Sequence, residues 1–295
     1  MLRIMTLIIM TLFALACNAE VLNSVSIRAD DGYPLCVYSI APTKNKIKGV
    51  VLTLGGSGSS SRGRVLQQYS FLLEDGLVIT SFEKRGVTSD SVNQKLFAKY
   101  DEKNVRIYDS LQVMKWITQT FPKLPVVLVG ESEGGEVAAE VTRHSQAVTR
   151  LILLASGSGM SQLDEFKTFI AQKGEYLGIK SLTELENMAT EIKNSPVAEK
   201  QWQGHSFKRW NSYIFINPLN TLLKLNIPIL ALHGRLDENA PFASAQALKD
   251  AFVRMGKTNL ATIYFDFGDH SFNNVKTGQS YIPEAIAKIR TWLNE

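Results

Sequence analysis

The chain has 295 residues, 45% of them hydrophobic and 20% charged, which is typical of a globular protein and excludes a disordered or fibrous one. This length suits one domain of about 250 residues that carries an insertion. The formal net charge is +4 at pH 7, but lysine and arginine are scattered rather than clustered, so we expect no binding to nucleic acid.

The first twenty residues differ from the rest of the chain. An apolar block spans residues 4–16, and Arg3 is the only charged residue before Glu20. A block of this length is typical of the core of a signal peptide and is too short to cross a bilayer. The sequence therefore predicts export to the periplasm or out of the cell, with no stable membrane span after cleavage.

We place the signal peptide at residues 1–19, with cleavage after Ala16 or Ala19. Cleavage just before Cys17 would leave a cysteine for lipid attachment, as in bacterial lipoproteins, and is less favoured. Cys36 is the one other cysteine, and it lies on the far side of the cleavage region. We therefore predict neither a disulfide nor a metal site built from cysteine.

Along the rest of the chain, short apolar strands alternate with stretches of helical spacing. Strands are predicted at residues 21–28, 35–40, 49–54, 77–82, 126–129, 151–154, 227–232 and 260–265, and helices at 65–73, 104–121, 136–141, 241–255 and 282–293. The first two strands flank a turn signal and form an antiparallel hairpin. Strands separated by helices need crossover connections, so we predict an α/β fold with a mostly parallel sheet and helices on both faces.

The alternation stops at residue 157 and resumes at residue 227. The residues between, about 157–224, have a mostly helical pattern and are rich in aromatic side chains. We refer to residues 157–224 as the cap insertion. The sequence predicts one domain over residues 20–295 that carries this insertion, rather than a second independent fold.

Residues 130–134 read Gly-Glu-Ser-Glu-Gly, a Gly-x-Ser-x-Gly pattern between a strand and a helix. A strand that turns sharply into a helix can present one side chain at the top of a sheet, provided that its neighbours are small. The glycines two before and two after Ser132 supply that room. The alternative is an ordinary tight turn with a capping serine.

A serine nucleophile needs a base, and the base needs a third group to orient it. Of the four histidines, His233 and His270 follow strands, at the edge of a parallel sheet where reacting groups gather. Asp237 lies in the loop after the strand at 227–232. Position alone leaves both histidines as candidates for the base.

The sequence resembles the α/β-hydrolase family over nearly all of its predicted mature length. The resemblance rests on three motifs in the family's chain order: the serine pattern, Gly-x-x-Asp at 234–237 and Gly-Asp-His at 268–270. It implies the α/β-hydrolase fold, with Ser132 as nucleophile, His270 as general base and then acid, and Asp237 as the orienting carboxylate.

The resemblance also ranks the alternatives. His233 becomes a packing residue at the end of a strand. Asp266 and Asp269 compete for the acid role but are poorly placed to reach the far nitrogen of His270. Asp164 and Glu165 remain lesser alternatives.

A tetrahedral intermediate needs two N–H donors, the oxyanion hole. The resemblance implies that the backbone of Glu133, directly after the nucleophile, gives one. The second comes from the loop after the strand at 49–54, where many family members carry His-Gly; Ser57 is the first candidate here and Gly56 the next. The alternative is a flexible glycine loop with no such role.

Two further patterns flank the expected site. Residues 83–89 resemble a loop that many family members carry after the next strand, and we interpret them as a structural loop that shapes the pocket. The side chains of Glu131 and Glu133 could select a cationic substrate, but a solvated helix start that favours acids is the preferred interpretation.

The cap insertion falls where family members commonly carry a lid or cap. Its aromatic side chains either roof Ser132 and form an apolar pocket, or form only the core of the cap itself. The sequence leaves these two alternatives open.

Together these features predict an exported serine hydrolase that cleaves a carboxylic ester or thioester through an acyl-enzyme. Its expected partner is a small ester or acyl substrate, and the resemblance implies no metal and no organic cofactor. The pair Gly134-Gly135 is similar to the same region of dienelactone hydrolases and prolyl-oligopeptidase-type peptidases, so a serine peptidase is one alternative. The other is a non-catalytic binding protein with the same fold.

Overall fold

The structure is a computed structural model that describes residues 22–197 and 199–295. The signal peptide that we predict at residues 1–19 lies outside these ranges. Within them, no helix has the length and apolar character needed to cross a membrane.

One sheet of eight strands organises the fold. The strands are β1 (Asn23–Arg28), β2 (Pro34–Ile40), β3 (Gly49–Leu54), β4 (Leu77–Phe82), β5 (Val126–Glu131), β6 (Val148–Leu154), β9 (Ile229–Gly234) and β10 (Leu260–Phe265), while β7 (Gln201–Trp202) and β8 (His205–Ser206) form a separate hairpin. The order across the sheet is β1-β2-β4-β3-β5-β6-β9-β10. The pairings β1–β2 and β2–β4 are antiparallel and all the others are parallel. The predicted opening hairpin and mostly parallel sheet are confirmed.

Helices cover both faces of this sheet, as predicted. They are α1 (Arg62–Val65), a 3₁₀ helix (Leu66–Asp75), α2 (Gln94–Tyr100), α3 (Lys103–Thr120), α4 (Glu133–His144), α5 (Gln162–Lys173), α6 (Leu182–Asn194), α7 (Phe207–Tyr213), α8 (Leu219–Leu222), α9 (Phe242–Arg254) and α10 (Ile282–Leu293). Because side chains alternate along a strand, Leu128 of β5 packs with α3 and α4, while Val127 and Val129 pack with the 3₁₀ helix and α10. The apolar run of β5 is therefore buried on both sides.

The helix that we predict at residues 65–73 is a 3₁₀ helix instead. Its buried residues Leu66, Tyr69 and Leu72 recur at every third position, which is the period of a 3₁₀ helix rather than of an α-helix. Gly76, with φ 81°, ends it, and its N–H donates to the carbonyls of Leu72 and Leu73. The short helix α2 was not predicted; Asn93 caps it by accepting a hydrogen bond from the N–H of Leu96.

Between β6 and β9 the chain leaves the sheet and forms α5, α6, the β7–β8 hairpin, α7 and α8. This segment contains an apolar cluster separate from the two that line the sheet, with Phe166, Ile192 and Trp210 among its buried members. The cap insertion that we predict at about residues 157–224 lies between β6 and β9 in the chain, and its role as a cap stays a prediction.

Candidate active site

Ser132 lies in a strained turn between β5 and α4. Its φ of 50° and ψ of −124° fall outside the regions that ordinary residues prefer. Its N–H donates to the carbonyl of Leu154 at 2.8 Å, and its carbonyl accepts the N–H of Gly135 at 2.9 Å. The side chain makes no capping hydrogen bond, so the capping-serine alternative is not what the structure shows.

The glycines around Ser132 are required by close backbone contacts. A Cβ on Gly130 would lie 2.5 Å from the Cα of Gly135, and a Cβ on Gly134 would lie 2.1 Å from the carbonyl oxygen of Leu54. Real Cβ atoms do not approach that closely, so helix α4 packs tightly on the sheet only because these residues have no side chain. This close packing leaves Ser132 half-buried at the end of β5.

His270 and Asp237 form a hydrogen-bonded pair, as the motif order predicts. The ring Nδ1 of His270, in the loop after β10, lies 2.9 and 2.8 Å from the two carboxylate oxygens of Asp237, in the loop after β9. The N–H groups of Asn239 and Ala240 also donate to Asp237 Oδ1, which fixes the carboxylate. Burial acts to lower the pKa of His270, but the hydrogen bond and charge of Asp237 outweigh it, and the pKa is raised above 6.5.

Ser132 and His270 line the same cavity, which has a volume of about 380 Å³ and also contacts Ser57. Over the described ranges no hydrogen bond joins the hydroxyl of Ser132 to the His270 ring. Such bonds often tighten only when a substrate is bound. The cavity therefore contains a strained serine and a histidine held by a buried carboxylate.

The two competing aspartates are engaged elsewhere, whereas Nε2 of the competing His233 lies 3.6 Å from Asp237 Oδ2. Asp266 pairs with Arg235, and Asp269 accepts hydrogen bonds from the backbone of Ser271 and from Asn273. His233 is buried, with Nε2 3.0 Å from the carbonyl oxygen of Ala240. Burial lowers its pKa, which suits the packing role expected of it.

Of the lesser acid candidates, Asp164 accepts a hydrogen bond from Ser161 at the start of α5. Glu165 lines the cavity, and burial raises its pKa well above the ordinary value. The sequence places Glu165 only among the lesser candidates for the acid, and the structure places it in the wall of the cavity with Ser132 and His270.

The loop after β3 lies directly against Ser132. A Cβ on Gly56 would lie 3.1 Å from Ser132 Cβ and 3.7 Å from Ser132 Oγ, and Ser57 lines the cavity. On the other side, the backbone of Glu133 begins helix α4 immediately after the serine. The two backbone segments expected to form an oxyanion hole therefore both border Ser132.

The interpretation of Glu131 and Glu133 as a solvated helix start is wrong. The carboxylate of Glu133 is buried and pairs with Arg106 of α3 and Arg209 of α7. That of Glu131 accepts two hydrogen bonds from Arg62 and one from Tyr69. These partners are remote in sequence, which is why reasoning from the helix start alone misses them.

The aromatic side chains of the cap insertion serve both of the purposes left open by the sequence. Phe166, Tyr176 and Trp210 line the cavity with Ser132. Phe166 also makes edge contacts with the rings of Trp202 and Trp210, inside the core of the cap. One face of the cap core is thus the roof of the cavity.

The residues that the structure describes contain no cluster of three or more histidine, cysteine, aspartate or glutamate side chains placed to hold a metal ion. The absence of a cofactor remains an expectation of the resemblance.

A family model described as the prolyl oligopeptidase family matches residues 64–295. No curated protein matches the chain. Among solved structures, Est1E from Butyrivibrio proteoclasticus with bound ferulic acid superposes with a TM-score of 0.66 and 17% identity, covering 91% of this chain and 97% of its own. Pyrococcus furiosus esterase Pf2001 gives a TM-score of 0.63 and 17% identity, covering 93% and 91%.

The acylaminoacyl peptidase of Pyrococcus horikoshii gives a TM-score of 0.64 and 13% identity over 94% of this chain. The chain spans only 42% of that peptidase. At these identities the structural likeness shows a shared fold, the α/β-hydrolase fold, and not a shared substrate. The family match covers most of the chain, and from it we conclude that the chain belongs to the prolyl oligopeptidase family of serine hydrolases.

Proposed function

We propose that this protein is an exported esterase that cleaves a carboxylic ester, or a thioester, through an acyl-enzyme on Ser132. The observation that carries the proposal is the pair of His270 and Asp237, joined at 2.8–2.9 Å, in one cavity with the strained Ser132. A nucleophile, an oriented base and a water-accessible cavity are together sufficient for acyl transfer.

In the proposed mechanism, the hydroxyl of Ser132 attacks the substrate carbonyl while Nε2 of His270 takes its proton. Nδ1–H of His270 donates to Asp237, which stabilises the imidazolium; the raised pKa of His270 reflects this stabilisation. The imidazolium then protonates the leaving alkoxide oxygen, and the acyl group stays on Ser132. Water, activated by the same histidine, attacks the acyl-enzyme and releases the acid.

Two backbone N–H groups, those of Glu133 and Ser57, are proposed to stabilise the negative charge on the tetrahedral oxygen. Gly56 is the second candidate for the donor from the loop after β3. Each such donor contributes roughly 3 kcal/mol to transition-state stabilisation. Both segments border Ser132, which supports the assignment.

An ester is favoured over a peptide by two observations. The cavity, at about 380 Å³ and roofed by the cap insertion, matches a small substrate rather than a long chain. The esterases Est1E and Pf2001 match this chain over nearly their full lengths, whereas the peptidase extends far beyond it. The second candidate is a serine peptidase, supported by the family match and by the acylaminoacyl peptidase likeness.

The test is to label the purified protein with a fluorophosphonate probe, map the adduct, and measure turnover of short-chain p-nitrophenyl esters and of aminoacyl amides. We expect the adduct on Ser132 and loss of ester turnover in Ser132→Ala. An adduct on Ser57 or Ser156, the other serines of the cavity, or unchanged turnover in Ser132→Ala would overturn the proposal. Faster cleavage of the amides would establish the peptidase instead.

Export rests on the apolar block at residues 4–16 and is tested by sequencing the N-terminus of the natural protein. We expect it to begin at Cys17 or Glu20. An intact Met1 on protein recovered from the cytoplasm would rule export out.

A further inference from the structure

Lys84 holds in place the loop after β3, which borders Ser132. It follows β4, within the loop at residues 83–89, and its Nζ donates to the carbonyl oxygens of Gly56 and Gly58, each at 2.7 Å. These two carbonyls flank Ser57. Hydrogen bonds from a charged donor are roughly twice as strong as neutral ones, so a single ammonium fixes the Gly56–Ser57 peptide unit and the Gly58–Ser59 peptide unit that follows it.

The side from which Lys84 binds determines where the N–H of Ser57 points. The carbonyl of Gly56 and the N–H of Ser57 belong to one peptide unit, and within the described ranges no peptide bond is cis. In a planar trans peptide these two groups point in opposite directions. Because the carbonyl oxygen of Gly56 points toward Lys84, the N–H of Ser57 points away from Lys84.

Lys84 and Ser132 line different cavities. The side chain of Lys84 lines two smaller cavities, one beside Arg106 and Phe97 and one beside Tyr33, and it does not line the cavity that contains Ser132 and His270. Ser57 does line that cavity. A peptide held from the Lys84 side consequently presents its N–H to the cavity side.

We propose that Lys84 is the positioning residue of the oxyanion hole, because its ammonium anchors the Gly56–Ser57 peptide and aims the Ser57 N–H at the substrate carbonyl. The inference rests on the proposed function, in which Ser57 supplies one of the two donors. A charge on the carbonyl end of a peptide also polarises the unit and strengthens its N–H as a donor. The effect of Lys84 is therefore on the transition state, where the oxyanion forms.

Lys84 is buried, and its surroundings disfavour its charged form. Burial and the charge of Arg106 lower its pKa to about 7, Arg209 acts in the same direction, and Glu133 and Asp101 oppose them. Burial that lowers the pKa of a lysine makes its charged form unfavourable for folding. Replacing Lys84 is therefore not expected to lower the Tm, so an effect on catalysis can be measured apart from an effect on folding.

The experiment compares Lys84→Met with Lys208→Met, using kcat and KM for p-nitrophenyl butyrate and thermal unfolding of each variant. Lys208 is a matched control because its Nζ also donates to a backbone carbonyl, that of Lys99 at 2.9 Å, away from Ser57. We expect Lys84→Met to lower kcat about 10- to 100-fold, somewhat less than complete loss of one oxyanion donor, with KM changed less than about 2-fold. Its Tm should be unchanged or higher, and Lys208→Met should keep kcat within about 2-fold of the wild type.

Unchanged kcat in Lys84→Met, with a wild type that is active through Ser132, would overturn the role of Lys84 and leave the proposed function standing. If Lys84→Met raises KM without lowering kcat, or if its lower activity is accompanied by a lower Tm, Lys84 has a structural role and the proposal is overturned as well. A wild type without turnover dependent on Ser132 would overturn the proposed function and with it this inference. If Lys84→Met does not fold, Lys84→Gln replaces it in the experiment, because glutamine keeps a shorter, neutral donor. We expect Lys84→Gln to lower kcat about 10-fold. An unchanged kcat in Lys84→Gln would overturn the proposal.

Discussion

The buried carboxylate of Glu133 is the feature whose removal has the largest expected effect on stability. Glu133→Gln keeps the size of the side chain and removes its charge. It would leave the guanidinium groups of Arg106 and Arg209, which are 8% and 3% exposed, without their shared anion. Among the residues that the structure describes, Nε and Nη1 of Arg209 have no hydrogen-bond partner, so Glu133 is the acceptor on which Arg209 depends.

Removing one member of a buried ion pair costs about 3–5 kcal/mol, and since two cations lose one anion here we expect about 4 kcal/mol. At about 2–4 °C per kcal/mol for a large domain, the Tm should fall by roughly 8–16 °C. Urea unfolding followed by circular dichroism measures the loss directly. The control is Glu191→Gln, whose pair with Lys200 is about half exposed and should contribute less than about 1 kcal/mol.

The difference in unfolding free energy between the wild type and Glu133→Gln should decrease in acid. Burial raises the pKa of Glu133, but the charges of Arg209 and Arg106 outweigh burial and hold it below the ordinary value of 4.5. A depressed carboxyl pKa contributes stability that is present above the unfolded pKa and is lost as the pH falls through the folded one. The stability gap between wild type and Glu133→Gln should thus be full at pH 7 and shrink in strong acid.

A double-mutant cycle with Arg209→Met isolates the contact between α4 and the cap insertion. We expect a coupling energy of about 1–3 kcal/mol between Glu133 and Arg209. A cost below about 1 kcal/mol for Glu133→Gln, or one equal to that of Glu191→Gln, would refute the reasoning. A coupling energy near zero would show that Arg106 alone balances the carboxylate.

Three further outcomes follow from the site. Asp237→Asn should lower kcat by at least about 10³-fold with little change in Tm, because the amide no longer holds the correct tautomer of His270. Steady-state kinetics measures this loss, and retained activity would contradict the prediction. In Lys84→Met, which lacks the lysine that titrates near pH 7, ester turnover should rise with pH through a pKa above 6.5, since only the neutral His270 accepts a proton; a flat profile of this variant between pH 5 and 8 would count against His270 as the base. Gly134→Ala should lower the free energy of unfolding by about 1–3 kcal/mol or more, because its Cβ would lie 2.1 Å from the Leu54 carbonyl oxygen. Urea unfolding measures this loss. A stability equal to that of the wild type would show that α4 can move away from β3 at no cost.

Much of the sheet could be predicted from the sequence. The bounds of β3 and β4 agree with the apolar runs that predict them, because strands buried on both faces need continuous apolar residues. The bounds of β10 agree as well, although β10 is a half-buried strand at the edge of the sheet. Residues 65–73 show the limit of periodicity. The sequence predicts a helix there without its type, and the buried residues Leu66, Tyr69 and Leu72 of the structure repeat every three positions, as in a 3₁₀ helix.

The candidate site could be predicted in part. The order of Ser132, Asp237 and His270 along the chain placed each after a strand, and a parallel sheet brings the carboxyl ends of its strands to one edge. The hydrogen bonds between His270 and Asp237 agree with that expectation. Lys84 and Arg209 could not be found this way, since their partners lie 26 or more residues away in sequence.

The sequence by itself determined the alternation of strands and helices and the turn at Ser132, since burial of short apolar runs and the lack of a glycine side chain are local properties. Only the tertiary structure decided the environment of the charged side chains. From the sequence, Glu133 was interpreted as a solvated acid at a helix start, and Lys84 as one residue of a loop that shapes the pocket. Each is enclosed by groups from remote elements, and whether a charge is paired or exposed depends on the residues that folding brings around it.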